Sequence, residues 1–134
     1  MDVSGLRKKS ITAWIPVDEE VKALCSHLDQ QVWEDLKKEA TAVEVVNATA
    51  GTTKEDFDAV KFRHLVGRSV VKDVSGLTDG IDEATKEPLP FAVTPENIDM
   101  LMDSWTEFRM TVMSTPLVLR KMLELQAEQQ IKNS

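Results

Sequence analysis

The pair Thr94-Pro95 constrains this chain more than any other two residues. A threonine hydroxyl can accept a hydrogen bond at the N-cap. A proline at the first helical position loses an N–H that had no helical partner anyway. Together they start a helix at a defined residue, and Glu96 and Asp99 lie near the positive end of its dipole. Downstream, Ile98, Leu101, Met102, Trp105, Phe108 and Val112 recur every three or four residues and form one apolar stripe. Thr115-Pro116 repeats the signal. The residue before a proline avoids the helical region, so one helix is expected to end there and another to begin. That last helix, "LVLRKMLELQAEQQIK", has Leu119, Met122 and Leu123 on one side and is expected to fray from Gln126 on.

The N-terminal half is patterned differently. "ITAWIPV" is rich in β-branched and aromatic residues and contains Pro16, which predicts a short edge strand. "VKALCSHL" fits both periods; it is read as a second strand pairing with the first, with a helix as the open alternative. Asp29 is a suitable N-cap for a helix over 30–43, whose apolar face would be Val32, Leu36, Ala40 and Val43. "NATAGTT" breaks the chain. Thr53, with Asp56 three residues on, resembles a capping box and predicts a helix over 54–67 that stops at Gly67. "SVV" either extends that helix or begins a strand. The stretch 73–97, rich in acids, glycines and prolines, is read as the turn between a strand and the Pro95 helix. The expectation is one domain over 1–134, α+β in class. It is mainly helical with a small antiparallel hairpin near the N-terminus, and residues 1–10 and 127–134 are loose termini.

Chemistry is excluded more easily than assigned. The acidic stretch fails the calcium-loop spacing in both registers: from Asp73 the fifth ligand position is Leu77, and from Asp79 the third is Ile81. Gly76 and Gly80 open no helix and precede no Lys-Ser or Lys-Thr, so they form no phosphate loop. His27 and His64 are the only histidines. Cys25-x-His27 is one close pair without a second, which is short of a zinc set. A Cys25–His64 nucleophile pair is the one enzymatic alternative that spacing leaves open. No catalytic, cofactor-binding or metal-ligating residue is assigned, and the chain is expected not to be an enzyme.

Net charge is −7 at neutral pH and evenly spread, the short Arg7-Lys8-Lys9 cluster aside, and there are no tyrosines. Nucleic acid is therefore not an expected partner. No apolar run reaches membrane-spanning length and no signal peptide is evident, so a cytoplasmic protein is expected, without membrane or small-molecule substrate. The single Cys25 excludes an internal disulfide. Trp33 and Trp105 are expected to be core. Trp14, on an edge strand, could anchor a partner, as could Met122 and Leu125 on the last helix.

The order of "TAWIPV", "DLKKEAT", "VVKDVSGLTD" and "EPLPFAVTPENIDMLM" resembles the tail assembly chaperones of long-tailed bacteriophages. The likeness runs in order over roughly 10–125 and is specific over about 68–102, in structural rather than catalytic motifs. Two departures stand out. Val74 occupies the place of an aromatic, and "DEATKE" lengthens the turn. The resemblance implies a helical, self-associating protein of the host bacterial cytoplasm. It would bind the tape-measure protein and keep it soluble while tail-tube subunits polymerise. The departures leave room for a minor structural tail or head-completion protein retained in the virion. Genes of this group are often extended by a programmed frameshift, and Ile131-Lys132-Asn133 can be encoded by an adenine run on which ribosomes slip.

Overall fold

The computed structural model describes residues 11–132. The expectations for residues 1–10, the Arg7-Lys8-Lys9 cluster among them, and for 133–134 lie outside that range. The fold is α+β, with antiparallel sheets as expected, and it carries more strand than the sequence reading placed.

The first hairpin pairs β1 (Thr12–Pro16) with β2 (Lys22–Ser26), Trp14 facing Leu24 and Ala13 facing Cys25. Asp18 closes the connection: its carboxylate accepts the Glu20 and Val21 amides at 2.8 and 2.7 Å. The ambiguous "VKALCSHL" is thus a strand. A third strand, β5 (Val71–Ser75), adds to β2, giving the order β1-β2-β5 and leaving β1 at an edge, as Pro16 requires. Alternation turns Ala23, Cys25 and Val71 inward and Trp14 outward.

The helix after Asp29, α1 (Gln30–Glu39), is shorter than expected. Residues 41–47 are not its last turn. They form β3 (Thr41–Asn47), paired with β4 (Thr52–Phe57) around a Gly51 at φ +67. Thr41, Val43, Val45 and Val46 are β-branched, and their stiff χ1 favours the pleat over the helix. The packing face of α1 is accordingly Trp33, Leu36 and Ala40, with Val32 exposed; Trp33 meets Phe62 edge-on, centroids 5.0 Å apart. The Thr53–Asp56 capping box does not form, because both residues lie in β4. The cap is Asp58, whose carboxylate accepts the Lys61 amide at 3.0 Å and starts α2 (Ala59–Val70).

Gly67 does not stop α2. It is buried, and a Cβ there would lie 2.9 Å from Met102 Cγ and 3.2 Å from Ile98 Cγ2. Its function is to let α2 approach α3 (Pro95–Ser104) closely. "SVV" divides: Ser69 and Val70 finish the helix and Val71 begins β5.

The acidic stretch is more than a turn. After β5, Gly76 at φ +91 leads into a ribbon of β6 (Thr78–Ile81) and β7 (Pro88–Pro90). The "DEATKE" segment closes that ribbon on Asp82, whose carboxylate accepts the Ala84 amide at 2.8 Å. Thr94 then caps α3 as expected, accepting the Asn97 amide at 3.2 Å.

The helix break falls at Trp105 rather than at Thr115. Trp105 is extended (φ −122, ψ 102), and α4 (Thr106–Lys132) carries Pro116 inside it. Pro116 removes a donor to the Val112 carbonyl but does not end the helix. Thr115 points its hydroxyl back to the Thr111 carbonyl at 2.7 Å and is buried without a polar orphan. The segment from Gln126, where fraying is expected, is the exposed end of α4. Gln, Ala, Glu and Lys are good helix formers, and α4 stays helical and exposed to Lys132. The core lies between the inner face of the β1-β2-β5 sheet and α2, α3 and α4. Phe108, Met102, Val66, Val70 and Val112 are fully enclosed there, the apolar stripe of the sequence among them.

Candidate partner-binding surfaces

Three places hold the groups or the surface that a function would use. Cys25 is fully buried on β2, and burial pushes its thiol up to about 11 against the opposing effect of the Thr115 hydroxyl. His64 turns instead to α3, with Nε2 2.8 Å from the Asp103 carboxylate and Nδ1 3.8 Å from Asp99. The suspected nucleophile is therefore a protonated core thiol. In native protein at pH 8 Cys25 is expected to resist alkylation, and to react at the ordinary rate once the chain is unfolded in guanidinium. Thiol titration by mass spectrometry reads both; fast native labelling would reopen the enzymatic alternative.

The second place is a ladder of charge between α2 and α3. Arg63 and His64 both bond Asp103, and Arg68 bonds Asp99 through Nε at 3.0 Å and through its terminal nitrogen. His64, foremost, and Arg63 hold the Asp103 carboxyl below its usual range. The sequence carries the signal as two i,i+4 pairs, His64/Arg68 and Asp99/Asp103, whose partnership is visible only once the helices are packed. The ladder bridges two helices at the surface. Among the described residues no three His, Cys, Asp or Glu side chains are grouped to hold a metal. None of their helices is long and apolar enough to cross a membrane.

The third kind of place is exposed apolar surface. Trp14 stands 45% exposed on the outer face of the edge strand β1. On α4 the last fully buried residue is Leu119, and the helix then runs on for more than three turns. Val118, Met122 and Leu125 share one face of α4 at i, i+4 and i+7, the last two on that extension, and Leu125 is 59% exposed. A groove of about 270 Å³ lies between α1 and α4 beside Trp33, Met113 and Leu117. Both sequence-named surfaces, Trp14 and the Met122/Leu125 pair, are thus open to solvent and on different elements. The sequence reading missed the exposed Val43, Val45 and Val46 of β3 and the adjoining groove of about 630 Å³ at the foot of the hairpin. Its signal was the alternation from Thr41 to Val45. Comparison with protein-family models, with curated proteins and with solved structures returns no match.

Proposed function

We propose that this chain is a tail assembly chaperone of a long-tailed bacteriophage. It is a non-enzymatic protein of the host cytoplasm that self-associates and holds the tape-measure protein during tail morphogenesis. The observation that supports the reading is the end of α4. A helix of 27 residues carries Met122 and Leu125 beyond Leu119, its last fully buried residue, and with Val118 they form a strip that stays open to solvent among the described residues. An amphipathic helix presented this way suits a partner made of long apolar helices, and methionine adapts to irregular partners. The acidic body keeps such a complex dispersed. The order of motifs from "VVKDVSGLTD" to "TPENIDMLM" supplies the family.

Leu125→Asp tests the surface. The position is exposed, so the fold should survive, and binding of the tape-measure protein should weaken roughly tenfold or more through a desolvated carboxylate in the interface. Unchanged capture in a pull-down removes α4 from the interface. The nucleotides encoding Ile131-Lys132-Asn133 test the family: a slippery tract with an overlapping frame and a long helical gene downstream supports it.

The departures from the family pattern favour one second reading, a minor tail or head-completion protein retained in the virion. "DEATKE" closes a built two-stranded ribbon rather than a compact turn. Mass spectrometry of purified particles separates the readings, since a chaperone is absent from them.

A further inference from the structure

The β3–β4 hairpin is an arm of 17 residues whose strands are exposed along nearly their whole length; Val43 and Val45 are 62% and 63% exposed. A two-stranded ribbon alone in water is marginal, and exposed valine is an unusual choice for one. The two edges of the arm differ. β4 presents Lys54, Glu55 and Asp56 in a row, the charged dressing that keeps an edge from pairing. β3 has neither lysine nor proline, and one charge, Glu44.

The hydrogen-bond parity identifies which groups of β3 are free. The Asp58 amide donates to the Ala40 carbonyl at 2.9 Å, one step beyond the Thr41–Phe57 pair. Bonded and non-bonded pairs alternate in an antiparallel ladder, so Ala42 and Glu44 bond inward to Asp56 and Lys54. Thr41, Val43 and Val45 then direct their N–H and C=O groups outward. These three residues are symmetric about Val43.

We propose that two copies of this chain pair through β3, edge to edge and antiparallel, about a two-fold axis at Val43. In this register Val43 meets Val43 of the second copy, and Thr41 meets its Val45 in both directions. On the order of six backbone hydrogen bonds then use the outward groups of these three residues, short of the register shift after Val45. The result is a four-stranded sheet, β4-β3 followed by β3-β4 of the second copy, with the valines as one apolar band across its centre. Charge selects the same register. With the axis at Val43, Glu44 faces Ala42 of the other copy. An axis at Glu44 would set like charges directly opposite, as would one at Lys54 or Glu55 on β4. The inference deepens the self-association in the proposed function and rests on that part of it alone.

Analytical ultracentrifugation of the full chain across concentrations tests it, with Val43→Lys and Val43→Glu as variants. Wild type is expected to sediment as a dimer or an assembly of dimers. Either variant alone should weaken the pairing roughly tenfold or more, because two like charges meet on the axis. An equimolar mixture should restore it. Far-UV circular dichroism spectra of both variants at 25 °C should match wild type, since the position is exposed and the monomer fold does not depend on it. A wild-type monomer at every concentration overturns the proposal. So does an oligomer that survives both variants; loss of that oligomer in Leu125→Asp would instead place self-association on α4. β3 amides protected from exchange only when a tape-measure fragment is added would assign the edge to that partner and overturn the pairing of copies. Dimers without tape-measure binding leave this inference standing and sink the chaperone reading.

Discussion

Phe108→Ala is expected to remove about 3–5 kcal/mol of stability and lower the thermal midpoint by roughly 10–20 °C. Phe108 is the largest fully enclosed side chain, and Trp105 stacks on it with centroids 5.9 Å apart. It sits on the first turn of α4, where that helix meets α2 and α3. Truncation leaves a cavity between elements that are already fixed by the Thr94 cap, the Gly67 contact and the Trp105 break, so the site cannot collapse to fill it. A domain stable by about 5–15 kcal/mol loses a large share of its margin. Thermal melts followed by circular dichroism check this; a shift of only a few degrees would mean that α4 does not close the core.

Gly76→Ala carries the second large effect, for a different reason. At φ +91 an L side chain is strained, and a Cβ would lie 2.1 Å from the Glu20 carbonyl oxygen. Glu20 belongs to the Asp18 turn of the first hairpin, so the clash is backbone against backbone and no rotamer change relieves it. The expected cost is about 2–4 kcal/mol, through displacement of β5 from β2. Gly80 is the matched control: its φ is +78, but a Cβ there meets nothing within 4 Å. Gly80→Ala should therefore cost only the local strain, about 1 kcal/mol. Equal losses at the two positions would show that the approach of Gly76 to Glu20 contributes nothing.

Legibility followed the range of the forces involved. The Thr94-Pro95 start and the stripe to Val112 are local statements about one helix, and they appear in place. The edge position of β1 is equally local, being fixed by one proline. The hairpin 41–57 was misread because Val43 serves two periods: it extends Val32-Leu36-Ala40 as a helix and Thr41-Val43-Val45 as a strand. With no buried face along that arm, no burial pattern arbitrates. Asp58 and Thr53 are both good caps, and only the strand before Asp58 chooses between them. Gly67 looks like a helix stop until Met102 is seen against it, a contact between residues 35 apart in the chain. Pro116 looks like a break, whereas the true break at Trp105 has no residue that announces it. Trp14, Met122 and Leu125 were named for their chemistry, and their exposure was the part that required the fold.

In the proposed function this chain binds the tape-measure protein and keeps it dispersed. Co-expression of the two proteins, with the tape-measure protein measured in supernatant and pellet, tests it most directly. The expected result is a tape-measure protein that pellets alone, moves to the supernatant with the wild-type chain, and returns to the pellet with Leu125→Asp. A tape-measure protein whose solubility is the same with and without this chain would contradict the claim.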